Sequence, residues 1–188
     1  MIRCPICGSD KFMQVENRVN ALCMVCESLE RHRAIYLGFQ KEFSNKNLRI
    51  LHICPNSCWK YVFKTNKYYT TMRHDARQTP FIRDSFDIII AVHIMEHIVE
   101  DDIVFGEFNR ILDKGGFLIA PVPLRGEKTI ELELPHTPER MLKAFGNSDH
   151  CRQYGKQDYT DLMEEYFDVG IIGDHYEEIH YGRSRKNE

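Results

Sequence analysis

The chain has 188 residues, 43% apolar and 28% charged, with a net charge of −3, the balance of an ordinary globular domain with room for a small appendage. No run approaches the roughly 18 apolar residues of a membrane helix and no signal-peptide core opens the chain, so a cytoplasmic protein with no membrane partner is expected. Residues 1–50 carry 8 Lys/Arg against 5 Asp/Glu, too slight an excess for a dedicated nucleic-acid binder, and seven cysteines without a secretory signal point to thiols that hold metal.

Cys4-Pro-Ile-Cys7 and Cys23-Met-Val-Cys26 stand 15 residues apart, the paired C-x2-C spacing of a four-thiolate zinc site. Each pair forms a tight knuckle that aims two sulfurs at one point. Gly8 supports the first knuckle by allowing positive φ, and Glu27 occupies the equivalent place in the second. Residues 1–28 are thus read as a zinc ribbon with a structural Zn2+ on Cys4, Cys7, Cys23 and Cys26, too poor in large apolar side chains to fold without metal. A redox pair is the competing reading. A connecting helix over 29–47, opened by Ser28, has Leu29, Ala34, Ile35, Leu37 and Phe39 as its apolar face. Arg31, His32 and Arg33 either contact substrate or partner or line an interdomain face, the simpler reading. Cys54, Cys58 and Cys151 have no partner by spacing and read as free thiols.

Leu48–Ile53 has the pattern of a strand, followed by the glycine-free stretch His52-Ile-Cys-Pro-Asn-Ser-Cys58. A helix over Cys58–Thr65, capped by Asn56 or Ser57, leads to a second strand, Lys67–Met72. Asp87 is read as structural at the start of the next strand. Ile88–Val92 is a β-branched run of the kind buried on both faces of a parallel sheet. Asp101 and Asp102 offer an N-cap to a helix with a stripe of Ile103, Val104, Phe108, Ile111 and Leu112. Asp113-Lys-Gly-Gly116 stops that helix, and Phe117–Ala120 is the following strand. The unit is βαβ, so the core is a parallel sheet with crossover helices. An insertion over 125–156 precedes a last crossover helix, Lys156–Tyr166. Asp168–Ile172 and His175–His180 supply an antiparallel finish, and Gly182–Glu188 reads as a loose tail.

Two strings in this core, SFDIIIAVHIMEHI from Ser85 and EFNRILDKGGFLI from Glu107, resemble strand four, its helix and strand five of class I S-adenosylmethionine-dependent methyltransferases, of the type 11-like kind. CESLERHR after the second knuckle, LPHTPER from Leu134 and FGNSDHCRQYG from Phe145 resemble a bacterial group in which a zinc ribbon precedes such a domain. The implied fold is α/β: a Rossmann-like methyltransferase sheet over 48–182 with helices on both faces. The implied cofactor is S-adenosylmethionine, and the implied reaction is methyl transfer to a hydroxyl or amine of a small-molecule or saccharide acceptor. His52, Pro55 and Asn56 then stand where the first cofactor loop belongs, Asp75 beside the ribose or the adenine amine, and His93 and His97 along the methionine part. Insertions before the last crossover helix commonly cover the site. His93, His150 and Asp149 are accordingly the catalytic candidates, and Arg152, Tyr154 and His136 the substrate-binding ones. His93, Glu96 and His97 also suggest metal, although not in H-E-x-x-H spacing. RNA methylation is one alternative. A catalytically inactive scaffold, favoured by the missing glycine loop and a shortened or lost strand three, is another.

Overall fold

The computed structural model describes residues 2–43, 47–172 and 179–186. Strands β1 (Phe12–Val15) and β2 (Arg18–Cys23) form an antiparallel hairpin between the two cysteine knuckles. Helix α1 (Glu30–Phe43) then enters a six-stranded sheet made of β3 (Ile50–Ile53), β4 (Tyr69–Met72), β5 (Phe86–Ile90), β6 (Leu112–Ile119), β9 (Phe167–Ile172) and β10 (Ile179–Ser184). The strand order is β4-β3-β5-β6-β10-β9. The first four strands run parallel, and β10 is antiparallel to both β6 and β9. Helix α2 (Trp59–Phe63) crosses from β3 to β4, and a short 3-10 turn (Met95–His97) followed by α3 (Asp101–Ile111) crosses from β5 to β6. No helix among the described residues is long and apolar enough to cross a membrane.

Period-two alternation sends side chains to two separate cores. Leu51, Ile53, Ile89 and Leu118 pack with Val104, Phe105 and Phe108 of α3 and with Tyr159 and Met163 of α5 (Lys156–Glu164). Ile50, Ile88, Ile90 and Ile119 pack on the opposite face with Ile35, Phe39 and Phe43 of α1 and Trp59 and Phe63 of α2. Cys4, Cys23 and Cys26 belong to this second core, so the ribbon is continuous with the sheet domain. Arg33 clamps the joint by donating to the Ala21 and Ser28 carbonyls at 3.0 and 2.7 Å and to Asn20 O at 3.0 Å. The interdomain reading of this helix start is the one the packing supports.

Several local expectations shift. The buried face of α1 is His32, Ile35, Phe39 and Phe43, while Leu37 is 55% exposed. In α3, Asp101 and Asp102 sit in the first turn with Glu100 before them, and no side chain caps the helix. Its inward face is Asp101, Val104, Phe105, Phe108 and Ile111, leaving Ile103 out. The rotation places the Asp101 carboxylate where Arg152 and Tyr154 meet it. Neither Asn56 nor Ser57 caps α2; the Ser57 hydroxyl is spent on Glu27. Asp113–Gly116 does not separate helix from strand. β6 begins directly at Leu112, and the glycine pair forms an irregularity within the strand pairing. A side chain at Gly116 would meet Asp113 O at 2.9 Å and Asp87 O at 3.0 Å, which explains glycine there.

No strand lies between β4 and β5, so strand three is lost. The loop that replaces it is fastened to α3: Thr79 donates N–H and hydroxyl to Glu107 at 2.8 and 2.6 Å, and Arg110 donates to Phe81 O at 2.8 Å. Asp87 is structural, paired with Arg49 at 2.6 Å. Residues 175–178 of the expected last strand lie outside the described residues. The chain after Gly182 is not loose as far as Lys186. Gly182–Ser184 completes β10, and Lys186 donates to Arg110 O at 2.9 Å.

Candidate functional site

The four ribbon thiols converge, with Cys4 and Cys26 sulfurs 3.7 Å apart and Cys7 and Cys23 sulfurs 3.5 Å apart. Zinc–sulfur bonds of about 2.3 Å put tetrahedral ligands about 3.8 Å apart, so the donor set fits zinc in identity and spacing. The two knuckles repeat one geometry. Gly8 N donates to Cys4 O at 2.8 Å and Glu27 N to Cys23 O at 2.9 Å, and both residues hold positive φ, 78° and 62°. Glu27 therefore takes, at some strain, the conformation that Gly8 takes freely. The Ser28 hydroxyl lies 3.5 Å from Cys4 Sγ and 3.2 Å from Cys26 Sγ, the outer-shell contact that steadies such sulfurs. Cys58 and Cys151 are buried, and burial pushes the Cys58 thiol up to about 12, marking both as packing groups.

At the carboxyl ends of β3, β4 and β5 lies a cleft of about 480 Å³, lined among others by Ile53, Cys54, Asp75, Arg77, His97 and Glu100. This is where ligands bind in open α/β sheets. The first loop has no glycine, yet Cys54 adopts φ 45° at the end of β3, so a non-glycine residue makes the turn. Asp75 and His97 reach this cleft. His52 does not: its ring is buried against Trp59 and Tyr69, with the Tyr69 hydroxyl 3.1 Å from Nδ1, and burial depresses it to about 3. The Pro55 carbonyl accepts from Arg73 at 2.8 Å, and Asn56 is exposed beyond the cleft lining. Arg77 bridges the opening, 2.7 Å from Asp75 and 2.9 Å from Glu100. Hydrogen bonds from Arg77 hold the Asp75 carboxyl down at about 2.

Beside the cleft, residues distant in sequence meet. His93, at φ 54° just past β5, points Nδ1 at Glu96 Oε1 at 3.1 Å. His97 Nδ1 lies 3.1 Å from Asp149 O and 3.4 Å from the Asp149 carboxylate. The His97 and His150 rings meet edge-on, 4.8 Å apart. Burial, the largest influence, lowers the His150 pKa from its ordinary value. The catalytic candidates His93, Asp149 and His150 thus cluster around Glu96 and His97.

The substrate-binding candidates are placed otherwise. Arg152 and Tyr154 are buried and bind Asp101: Arg152 forms an ion pair with it, and the Tyr154 hydroxyl donates at 2.5 Å. Arg152 also donates to Val99 O at 2.6 Å and faces Glu131 at 3.1 Å. Their polar atoms fasten the insertion to α3, so they are corrected from substrate ligands to anchors. His136 lies in the insertion, its Nε2 2.9 Å from Leu132 O, and does not line the cleft. The insertion itself holds a two-strand stem, β7 (Ile130–Glu131) with β8 (Arg152–Gln153), and α4 (Pro138–Phe145), none of whose residues is buried.

Residues 39–120 match the family model described as "Methyltransferase domain". Among solved structures, the YcgJ protein from Bacillus subtilis aligns with TM-score 0.55 and 16% identity over 76% of this chain and 71% of that one. A chain from the complex of the Haloferax volcanii Trm112 methyltransferase activator with a methyltransferase aligns with TM-score 0.58 and 12% identity over 82% and 90%. A Thermotoga maritima S-adenosylmethionine-dependent methyltransferase aligns with TM-score 0.51 and 18% identity over 79% and 87%. This is the class I methyltransferase fold. No curated protein sequence matches the chain.

Sequence reasoning did not find Arg77 and Glu100 as the bridge across the cleft, nor Asp101 as an anchor. A signal for the latter was present. Arg152 and Tyr154 are two apart in an extended stretch, hence on one face, and an acid opens the helix opposite.

Proposed function

We propose that the chain is an S-adenosylmethionine-dependent methyltransferase acting on a hydroxyl or amine of a small or carbohydrate-type acceptor, with a structural zinc on Cys4, Cys7, Cys23 and Cys26. The observation that carries the reading is the cleft at the carboxyl ends of β3, β4 and β5, within a methyltransferase domain match. Its volume of about 480 Å³ falls in the range of small-ligand sites, roughly 300–1,000 Å³. Asp75 takes the adenosine end of the cofactor, which requires Arg77 to share it. His93 and His97 border the methionine end, after the loop through Cys54, Pro55 and Asn56.

Bound S-adenosylmethionine would supply a sulfonium-activated methyl group to a lone pair of the acceptor oxygen or nitrogen, its sulfur keeping the electron pair of the broken C–S bond, and His93 would take the acceptor proton. Glu96 orients that imidazole through Nδ1 at 3.1 Å, leaving the other nitrogen for the proton. Asp149 and His150, carried by the insertion, close the acceptor side. Most of the rate gain is positioning.

The test is calorimetric titration with S-adenosylmethionine and S-adenosylhomocysteine. Micromolar binding that weakens in Asp75→Ala is expected. His93→Gln should bind cofactor normally and lose transfer by roughly 10²–10⁴-fold. Absence of binding at millimolar ligand would overturn the reading in favour of a scaffold, which has one observation on its side: Arg77 already engages both Asp75 oxygens.

A further inference from the structure

Glu96 is 1% exposed. Its Oε1 meets His93 Nδ1 at 3.1 Å, but its Oε2 is buried with no hydrogen-bond partner. A buried carboxylate oxygen left unmatched is costly, and natural sites keep one when something else binds there. Two imidazoles stand next to it. Ligand atoms of Glu96, His97 and His150 lie within 4.8 Å of one another. The pair His97 and Glu96 comes from the turn after β5, and His150 from the far end of the insertion. Cys151 seals the meeting by donating N–H and Sγ to Glu96 O at 2.9 and 3.2 Å.

We infer that Glu96, His97 and His150 form a second metal site, taking a divalent transition-metal ion such as Zn2+ with at least one coordination position open. Two imidazoles and a carboxylate are the donor set of zinc sites that keep an exchangeable position, whereas magnesium and calcium prefer oxygen alone. His97 is already prepared as a ligand. Its Nδ1 faces the Asp149 carbonyl at 3.1 Å, the outer hydrogen bond that metal-bound histidines carry, which leaves Nε2 with its lone pair. Bonds of about 2.0–2.2 Å set donors about 3.4 Å apart, so closure onto an ion asks the rings to pivot by roughly an ångström. His97 also lines the cleft, and the open position faces water or an acceptor oxygen, whose proton an ion makes easier to remove. The site does not depend on the methyl-transfer reading, because an ion binds there whether or not a cofactor does.

Tag-free full-length protein with its ribbon filled by zinc is titrated with Co2+ and followed by visible absorption. One added equivalent at micromolar affinity is expected, giving ligand-field bands without the intense near-ultraviolet transitions of cobalt–thiolate bonds. His150→Ala and His97→Ala should each weaken it at least about tenfold, with unchanged circular dichroism and ribbon zinc retained. Glu96→Gln, which keeps the side-chain volume, should do the same. If it misfolds, the two histidine variants decide alone. No added equivalent at millimolar cobalt, or unchanged binding in both histidine variants, would overturn the site while leaving cofactor titration to judge the methyltransferase reading separately.

Discussion

The ribbon and the lip of the sheet each gather ligand-type side chains, but by opposite routes. In the ribbon, four cysteines are aimed by two local knuckles whose backbone hydrogen bonds span four residues, Gly8 to Cys4 and Glu27 to Cys23. At the lip, His97 and the Asp149 carbonyl meet across 52 residues of chain, and only the completed sheet and the fastened insertion bring them together. A locally built site stands or falls with its metal. An assembled site stands or falls with its anchors.

The sharpest separation comes from removing the zinc proposed for the ribbon. Zinc binding in small thiolate modules carries roughly 10–16 kcal/mol of apparent free energy, so a strong chelator or Cys23→Ser should unfold the ribbon. Because Cys4, Cys23 and Cys26 pack in one core with Phe39 and Trp59, the melting temperature of the sheet domain should fall with it. A melt unchanged on chelation would mean that the two regions are energetically separate. Next comes the anchor of the lip. Arg152→Met leaves the Asp101 carboxylate buried without its cation and should cost roughly 3–5 kcal/mol in urea unfolding. Adding Asp101→Leu should recover much of the loss, which a purely steric role for Arg152 would not allow.

A smaller effect, of pH, falls on the ribbon side of the sheet, where His32 and His52 both meet Trp59. Burial lowers His32 to about 4 and His52 to about 3, from ordinary values of 6.5. Both are neutral when folded, and the unfolded chain takes up their protons first. Their contribution is intact above pH 6.5 and is lost as pH falls toward 4, with a slope of at most about 1.4 kcal/mol per pH unit per histidine. Urea midpoints measured across that window should flatten in His52→Phe. Smallest of all, Arg18→Ala removes an exposed pair with Glu30 at 3.1 Å and should shift stability by no more than about 0.5 kcal/mol.

The same contrast governs what was legible beforehand. Cysteine spacing located the ribbon because the knuckle is a local device. Ile88–Ile90 announced the central strand because burial on both faces leaves no room for alternation. That strand three is shortened or lost followed from the few residues between Asp75 and Pro80, and the structure has no strand there. Three-dimensional partners were harder to read. Nothing in one dimension says that Arg152 turns inward to Asp101 rather than outward to a ligand, since the same guanidinium serves either end. His52 looked like a cofactor contact from its place after a strand, but the alternation that sends Leu51 and Ile53 to one core sends His52 to the other, beside Trp59. Rotation of α3 around Asp101 was likewise set by a residue 51 positions away.

The base of the insertion is stitched shut. Arg125 N donates to Tyr154 O at 2.8 Å, Lys156 N to Gly126 O at 2.9 Å and Gly155 N to the Thr129 hydroxyl at 3.1 Å. Chain enters and leaves through one closed neck, and its returning end, Asp149 to Arg152, is tied back to the turn after β5 and to α3. Lengthening such a loop costs only logarithmically in closure entropy. The stretch from Leu132 to Asn147, none of it buried, is therefore an exchangeable cassette, free to be rewritten in evolution or by design as long as the returning residues Asp149–Arg152 keep their ties to the scaffold.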